Sequence, residues 1–365
     1  MNVDGRPCRT IWPGDDGVTV CVIDQRRLPH EFVTRRLRTL DEAVFAIADM
    51  MVRGAPLIGA TAAFGVALGL RADPSDEGLR HAVTRLVASR PTAVNLAWAA
   101  HAVAAAVGGL PAAQRFEAAM REALRICEDD VASCQRNGEH GADLLEQLSA
   151  GDRPLQVLTH CNAGWLAAVD WGTALAPVYQ LQRRGRAVHV WVDETRPRNQ
   201  GASLTAWELG QQGIAHTVIA DNAGGHLMQQ GKVDVCIVGA DRVAANGDVC
   251  NKIGTYLKAL AAFDNGVPFY AALPHSTIDW QMPEGRSIRI EERDPEEVHT
   301  IVGLDGSGAL SRVRLTPPGS AAANYAFDVT PARLVRGVIT ERGVGAASRA
   351  GLLDLYPSRA QTQPR

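Results

Sequence analysis

Two patterns of apolar and polar positions divide the chain. From about residue 40 to 149, apolar residues recur at helical spacing and alanine is frequent, as closely packed helices require. Before this stretch, residues 9–12 and 18–23 flank a Pro-Gly turn and predict a short strand pair. We therefore predict a mainly helical N-terminal domain over residues 1–150, with helices over 41–51, 58–70, 77–89, 93–107 and 114–147.

Beyond residue 150, short apolar runs alternate with helical segments such as 163–183 and 203–212. Strands that alternate with helices form right-handed βαβ units and a parallel sheet. Residues 151–365 are thus predicted to form a Rossmann-like, doubly wound catalytic domain, which makes the fold class α/β. The predicted buried strands are 156–159, 187–192, 214–219, 233–238 and 267–272. Residues 288–290 and 326–329 are predicted as edge strands, and 304–323 as a loop.

Composition excludes several classes of protein. A net charge of -3 over 365 residues gives no reason to expect a nucleic-acid partner. The seven cysteines are odd in number and contain no CxxC pair, which indicates reduced thiols and a cytoplasmic protein. The longest apolar stretch, residues 59–70, is too short to cross a bilayer, so we expect no membrane association.

Each predicted strand is followed by a cluster of polar residues. Because the carboxyl ends of parallel strands lie at one edge of a sheet, these clusters should converge in space. The fourth cluster contains Asp241, and Lys252, one of three lysines in the chain, follows nearby. The sequence therefore predicts a polar site at this edge, built from residues 159–164, 193–201, 221–225, 239–242 and 274–277.

Cys161 lies between a predicted strand and a predicted helix. A helix N-terminus would lower the pKa of its thiol and make it a better base or nucleophile. The alternative is that Cys161 is a small buried hydrophobic residue, which is the usual fate of a free cysteine. The adjacent His160 has no spaced partners that would close a tetrahedral site, so no metal is predicted.

Other polar residues of these clusters have two interpretations. His160 could orient the cysteine or simply fill the strand end. Asp193 and Glu194 could be catalytic, or could form ion pairs with the arginines that follow them. The role of His275 is open.

Phosphate is the ligand that the remaining polar segments suggest. No Walker A sequence and no GxGxxG motif follows a strand, so nucleotide-binding fingerprints are absent. Arg53 and Gly54 instead stand directly before a predicted apolar helix, where an anion would bind. Asn251 and Lys252 offer further donors.

Together these motifs resemble the methylthioribose-1-phosphate isomerase family. The motifs are RGAPLIG (53–59), RPTAVNL (90–96), THCNAG (159–164), DETRP (193–197), GADR (239–242) and NKIGT (251–255). The resemblance extends over about residues 10 to 345. The same superfamily holds ribose-1,5-bisphosphate isomerase and the regulatory subunits of the translation-initiation guanine-nucleotide exchange factor.

The resemblance implies a reaction and a site. The reaction converts 5-methylthioribose 1-phosphate to 5-methylthioribulose 1-phosphate in methionine salvage, by a homodimer that uses no cofactor and no metal. Asp241 and Cys161 would be the catalytic residues. The family's substrate contacts fall on Arg53, Gly54, Ala55, Arg90, Gln200, Asn251 and Lys252.

Two departures from the family pattern leave alternatives open. Trp165 and Trp171 follow the cysteine motif where small residues are commoner, and Asn324 to Ala326 stand where a proline is expected. The tryptophans could reshape the pocket and change the preferred 5-substituent. The alternatives are an isomerase of 5-deoxyribose 1-phosphate or ribose 1,5-bisphosphate, and a non-catalytic regulatory binding subunit.

Overall fold

A computed structural model describes residues 1–149 and 153–361 of the chain. The predicted domain boundary at residues 150 and 151 lies outside the described residues, so the two-domain division stays a proposal. The first part of the chain has more strand than the predicted pair. It contains β1 (Asn2–Val3) and β2 (Arg6–Pro7), and an antiparallel sheet of β3 (Ile11–Pro13), β4 (Val20–Ile23) and β5 (Thr34–Leu37).

The predicted helices of the first part are all present. Thr39 caps the first helix through a capping box with Glu42, which satisfies two otherwise unpaired backbone amides. The helices are α1 (Leu40–Ala48), α2 (Ala55–Ala72), α3 (Asp76–Ser89), α4 (Val94–Val107) and α5 (Ala112–Leu148). They share one apolar core with the β3–β5 sheet. The C-terminal half of α5 also contributes Ala142 and Leu145 to the core of the following α/β part.

Helix α2 is longer than the sequence predicted. By length and composition its 18 residues could cross a membrane, but 78% of them are buried within the protein. Apolar residues cover every side of this helix because the other helices surround it, which is the pattern of a core helix.

The second part is built on a mainly parallel sheet. Its predicted strands are confirmed to within two residues as β6 (Leu155–Thr159), β7 (Val188–Asp193), β8 (Ala215–Ile219), β9 (Val235–Val238) and β12 (Phe269–Ala272). Two strands that were not predicted complete it, β17 (Gly337–Thr340) and the antiparallel β18 (Gly343–Gly345). In the described part of the chain the strand order is β18-β17-β12-β9-β6-β7-β8.

Apolar side chains cover both faces of this sheet. Val157, Val190 and Ile237 pack on the side of α5 and α6 (Ala176–Arg183), while Leu158 and Val238 pack in the core on the other face. Burial on both faces explains why the strands are almost continuously apolar. The remaining helices are α7 (Ala206–Gln211), α8 (Ala223–Gln229), α9 (Thr255–Asp264), α10 (Glu296–His299) and α11 (Arg349–Leu355).

A second, smaller sheet was only partly predicted. Its order is β13-β10-β11-β16, formed by β10 (Arg242–Ala244), β11 (Val249–Lys252), β13 (Ile278–Asp279) and β16 (Phe327–Thr330). The predicted edge strand over 326–329 corresponds to β16, whereas 288–290 is not a strand. The predicted loop over 304–323 is wrong at its start, because β14 (Thr300–Leu304) and β15 (Leu310–Arg314) pair as a hairpin.

Candidate active site

The polar site lies where the order of the sheet reverses. From β6 the chain continues to β7 and β8 on one side, and β9, β12 and β17 follow on the other. Ligands of open α/β sheets bind in the crevice outside the strand ends at this point. Cys161 follows β6 and Asp241 follows β9, so the two residues flank the crevice.

A cavity at this crevice contains all nine predicted site residues. It is bounded by the two strand ends, the start of α2, the end of α3 and strand β11. The empty space between these elements is about 670 Å³, a figure that includes space open to solvent. The predicted residues that line it are Arg53, Gly54, Ala55, Arg90, Cys161, Gln200, Asp241, Asn251 and Lys252.

The backbone at Cys161 is held in a left-handed conformation with φ of 67°. Residues other than glycine rarely adopt it, so the surrounding structure must hold it in place. The amide of Cys161 donates to Oγ1 of Thr195 at 2.8 Å, and its carbonyl accepts from Oγ1 of Thr205 at 2.8 Å. The thiol lies 3.8 Å from Oε1 of Gln200.

The expected helix N-terminus at Cys161 is absent from the structure. A 3₁₀ turn follows at Trp165–Ala167, and the next α-helix begins only at Ala176. Burial raises the pKa of the Cys161 thiol, and the positive charges of Arg53 and Lys252 act against this rise. The prediction that a helix dipole lowers the thiol pKa is therefore wrong; the two cations are what favours the thiolate.

Asp241 is half-buried at the opposite side of the crevice. Burial raises the pKa of its carboxyl group, while Lys252, Arg53 and Arg90 act to lower it. Desolvation disfavours the charged form of a carboxyl group, so this environment favours a protonated acid that can donate.

Arg53 is buried beside the cysteine loop. Its guanidinium donates to the side-chain oxygen of Asn162 and, at 2.6 Å, to the Asn162 carbonyl oxygen. Burial lowers the pKa of Arg53. Gly54, with φ of 95°, must be glycine, because a Cβ there would lie 2.4 Å from Cα of Ala167. This close contact brings the free amides at the start of α2 to the cavity.

Asn251 and Lys252 lie in strand β11 and not at a helix start. The ammonium group of Lys252 donates to the carbonyl of Ala326 at 3.1 Å and lies 4.7 Å from the centre of the Phe327 ring. Burial lowers the pKa of Lys252. Asn251 donates to Oγ1 of Thr255 at 3.0 Å, and the carbonyl of Lys252 accepts from the same hydroxyl.

Arg90 follows α3 and reaches the cavity from the first part of the chain. Its guanidinium lies 3.4 Å from Oε2 of Glu291, which also accepts from Oγ1 of Thr92 at 3.1 Å. Glu291 in turn pairs with Arg293 at 2.9 Å. Arg90 is thus held at the edge of the site by a carboxylate from a loop near the second sheet.

Comparison with known proteins identifies the family. The model of the initiation factor 2 subunit family matches residues 51–347. The methylthioribose-1-phosphate isomerase of Rhodospirillum rubrum is 62% identical over 99% of this chain and 94% of its own length. That of Methylobacterium nodulans is 62% identical over 98% of this chain and 99% of its own. This chain belongs to the methylthioribose-1-phosphate isomerases of the initiation factor 2 subunit family.

Solved structures agree with this family assignment. The 5-methylthioribose 1-phosphate isomerase of Pyrococcus horikoshii is 40% identical, with a TM-score of 0.83 over 97% of each chain. The delta subunit of translation initiation factor eIF-2B from A. fulgidus is 38% identical, with a TM-score of 0.79 over 96% of this chain and 100% of its own. Both kinds of protein therefore share the fold of this isomerase family member.

The two tryptophans do not reach the cavity of this isomerase family member. Trp165 is fully buried and stacks on Trp207 with 6.0 Å between ring centres. Trp171 lies beneath the guanidinium of Arg183, 4.1 Å from its ring centre. Both belong to the apolar core and neither lines the cavity, so an effect on the preferred 5-substituent would have to act through the residues between them and the ligand.

The structure also decides the role of Asp193. Its carboxylate lies 2.8 Å from Nδ1 of His160 and 3.0 Å from Nζ of Lys258. Asp193 is therefore part of an ion-pair network, although not with the arginines that follow it. Arg196 bonds instead to the carbonyl of Val298. His275 lies 3.7 Å from a carboxylate oxygen of Glu341, outside the cavity lining.

Several residues that shape the site were missed from the sequence. Asn162 holds Arg53, Thr195 and Thr205 hold the cysteine backbone, and Lys258 neutralises Asp193. Asn162 and Thr195 lay inside polar clusters that were predicted to converge. Nothing local marks Thr205 or Lys258, because their partners are distant in the chain.

Proposed function

We propose that this chain is an aldose–ketose isomerase that converts 5-methylthioribose 1-phosphate to 5-methylthioribulose 1-phosphate, a step of methionine salvage. The relatives and the Pyrococcus horikoshii structure named for this activity support the proposal. The observation that carries it is the cavity itself. One acid, Asp241, and one thiol, Cys161, face a space that also contains Arg53 and Lys252.

The first chemical task of this reaction is to open the sugar ring. Phosphate on the anomeric oxygen blocks the spontaneous ring opening that ordinary aldoses undergo. An acid must therefore protonate the ring oxygen as the bond between C1 and that oxygen breaks. Asp241 fits this role because burial raises the pKa of its carboxyl group and favours the protonated form.

The second task is to move hydrogen from C2 to C1. In a proton route, a base removes the proton from C2 to give an enol, and C1 is then protonated while the C2 hydroxyl loses its proton, which gives the ketone at C2. In a hydride route, the hydrogen on C2 moves with its electron pair to C1 while the C2 hydroxyl loses its proton. Neither route changes the overall oxidation state, so no redox cofactor is required.

Cys161 would act near C2 in both routes. In the proton route it must be a thiolate, the form that Arg53 and Lys252 favour. In the hydride route the neutral thiol, which burial favours, suffices. The proton route therefore requires the hydrogen-transfer step to become faster as the pH rises through the thiol pKa, and the hydride route has no such requirement.

The phosphate would bind to the cationic side of the cavity. Arg53, Arg90 and Lys252 offer charge-assisted hydrogen bonds, and Asn251 and Gln200 offer neutral ones. The backbone at Gly54 and Ala55 adds the start of α2, an 18-residue helix whose N-terminal amides favour an anion.

The test compares turnover of purified protein on 5-methylthioribose 1-phosphate, 5-deoxyribose 1-phosphate and ribose 1,5-bisphosphate. We expect the highest kcat/KM on the first. Comparable turnover of the second would indicate a pocket that does not recognise the thioether. A preference for the third, with a KM that rises with salt, would indicate a second phosphate site. Binding without turnover of any of them would contradict the proposal and favour a regulatory subunit.

We also propose a homodimer located in the cytoplasm, as the family resemblance implies. Exposed apolar side chains support an interface on α9, where Leu257 and Phe263 are 62% and 65% exposed. Light scattering after size exclusion should give twice the chain mass of 39.0 kDa. A monomer at micromolar concentration would contradict this part of the proposal.

A further inference from the structure

Two side cavities open from the catalytic cavity, and they have no lining residue in common. The first, the acid-side cavity, adjoins Asp241 and Arg90 and does not include Cys161. The second, the thiol-side cavity, shares Arg53 and Gln200 with the catalytic cavity, and Gln200 lies 3.8 Å from the thiol. A substituent of the sugar would enter one or the other according to its position relative to the two reacting groups.

The walls of the acid-side cavity are mainly apolar. Ile58 of α2, Phe327 of β16 and Ile288 line it and are themselves buried. Ala93 and Cys250 add further apolar surface. A small group that cannot form hydrogen bonds would therefore be favoured here, because binding removes its surface from water.

The thiol-side cavity has mostly polar walls. Its empty space is about 1230 Å³, against about 430 Å³ in the acid-side cavity, and both figures include space open to solvent. Charged side chains of Arg26, Arg198 and Glu297 line it. An apolar group would stay in contact with water and charged groups there, so it would gain less from burial than in the acid-side cavity.

The proposed reaction indicates which cavity faces the 5-substituent. The ring oxygen of the sugar joins C1 to C4, and C5 is attached to C4. An acid that protonates this oxygen therefore lies on the side of C4 and C5, whereas the thiol lies near C2 across the ring. Since Asp241 lines the acid-side cavity and Cys161 does not, C5 faces that cavity.

We propose that the acid-side cavity binds the 5-substituent of the sugar phosphate and that Ile288 sets the size of the substituent it accepts. This inference rests on the proposed function, from which it takes the roles of Asp241 and Cys161. A methylthio group suits these walls, because it needs no hydrogen-bond partner. Its sulfur atom would also be stabilised beside an aromatic ring such as that of Phe327.

Ile288 is held in place by the turn that precedes it. Its amide donates to the carbonyl of Gly285 at 2.9 Å, and the amide of Gly285 donates to Oδ2 of Asp248 at 2.9 Å. A Cβ at Gly285 would lie 2.5 Å from Cγ1 of Val329, so the turn packs directly on β16. The side chain of Ile288 also packs in a small apolar cluster with Phe327. Because these contacts fix the side chain, its size limits the substituent.

Three arginines line the acid-side cavity as well, and they raise the alternative of a second phosphate. Arg90 lies 3.4 Å from a carboxylate oxygen of Glu291, and Arg242 lies 3.6 Å from one of Asp279. Arg289 is exposed, so solvent screens its charge. Two of the three charges are thus offset by carboxylates, and the cavity favours an apolar 5-substituent.

The test compares 5-methylthioribose 1-phosphate with 5-deoxyribose 1-phosphate, which lacks the thioether. The ratio of their kcat/KM values reports on the acid-side cavity, because both substrates require the same ring opening. In the wild type this ratio should be at least about 10, as for a methylene-sized group in an apolar pocket. Ile288→Ala should lower it about fourfold, the factor for the lost burial of one methylene group.

The same variant should accept a larger substituent. For 5-ethylthioribose 1-phosphate, kcat/KM relative to the methylthio substrate should rise about fourfold in Ile288→Ala, because the shorter side chain leaves room for one more methylene group. Ile288→Val, which disturbs folding less, should shift both ratios in the same directions by smaller factors. Ile290→Ala is the matched control, because Ile290 packs on the same apolar cluster without lining the cavity, and it should change neither ratio.

Unchanged ratios in both Ile288 variants would overturn the proposal, and so would a wild-type preference for ribose 1,5-bisphosphate over the thioether substrate. Turnover of no sugar phosphate would instead refute the proposed function. Calorimetry with the methylthio and deoxy compounds would then test the acid-side cavity by itself. The ratio of their Kd values should move towards one by about fourfold in Ile288→Ala, and an unchanged ratio would overturn the proposal.

Discussion

Two polar regions of this protein are adjacent, but they differ in whether their charged side chains form ion pairs. In the cavity, Arg53, Lys252 and Asp241 make no ion pair within 4.0 Å among residues 1–149 and 153–361. In the cluster behind it, Asp193 contacts both His160 and Lys258. Asp193 is thus paired with a cation, whereas Asp241 faces Arg53 and Lys252 without an ion pair; at the cavity edge, Arg90 alone pairs with a carboxylate, that of Glu291, among these residues.

This difference separates binding from positioning. Unpaired groups in a buried site keep their hydrogen-bonding capacity for a ligand, and burial moves their pKa values away from the ordinary ones. The directions of the pKa shifts agree with this interpretation, because burial raises the pKa of Asp241 and lowers those of Arg53 and Lys252. Paired groups have no such capacity, but they hold the backbone that carries Cys161.

The largest effect is expected from the thiol in the cavity. Cys161→Ser should lower kcat by at least about 100-fold, because a hydroxyl replaces the group placed near C2. The free energy of unfolding should change little, since the side chain makes one weak contact at 3.8 Å with Gln200. Steady-state assays and urea unfolding measure both quantities. Cys21→Ser, a buried cysteine in β4, is the control and should keep wild-type kcat.

The next largest effect should come from the paired cluster. Asp193→Asn removes the carboxylate that contacts His160 and the ammonium group of Lys258, and breaking a buried ion pair costs about 3–5 kcal/mol of unfolding free energy. Urea unfolding checks this value. Glu128→Gln, which breaks the exposed pair with Arg9, should cost only about 0–1 kcal/mol. Equal costs in the two variants would remove the distinction between the regions.

The pH dependence should follow the cavity acid. If Asp241 must be protonated, kcat/KM falls as the pH rises through its raised pKa, by about tenfold per unit beyond it. Ionisation of a carboxyl group with a raised folded-state pKa also costs stability, so unfolding free energy falls between the ordinary value near 3.9 and that pKa. A value of kcat/KM that rises with pH through the pKa of Asp241 would contradict its role as the general acid.

The smallest effect on activity should come from Trp165. Because its ring is fully buried on Trp207, Trp165→Phe should lower the free energy of unfolding by about 1–3 kcal/mol. KM for 5-methylthioribose 1-phosphate should stay within about a factor of two of wild type. A changed preference between the thioether and deoxy substrates would show that the tryptophan does shape the pocket.

The patterns of apolar and polar residues were sufficient to predict the parallel sheet and the convergence of polar residues at its strand ends. The strands that were missed carry weak local signals. β17 has only four residues and begins with Gly337, and the four residues of β11 lie between the short strand β10 and β16, which follows some 75 residues later. Such contacts come from tertiary packing, which no short window of sequence contains.

The features of the site also divide into those that the sequence predicted and those that depend on distant contacts. Cys161, Asp241 and Lys252 stand in motifs next to strand ends, and their assembly follows from topology. The left-handed backbone of Cys161, with φ of 67°, could not be predicted, because it depends on a hydrogen bond from its amide to Thr195 and one to its carbonyl from Thr205. The prediction of a helix N-terminus at Cys161 was wrong for this reason.

The most direct test of the account is the turnover of 5-methylthioribose 1-phosphate by the wild type and by Asp241→Asn. The account predicts product from the wild type and a kcat lower by roughly 100-fold to 10,000-fold in the variant, the range for loss of a general acid. The midpoint urea concentration for unfolding of the variant should be at least that of the wild type, because a half-buried carboxyl group without an ion pair has been removed. A folded Asp241→Asn protein with wild-type kcat would contradict the central role of this acid.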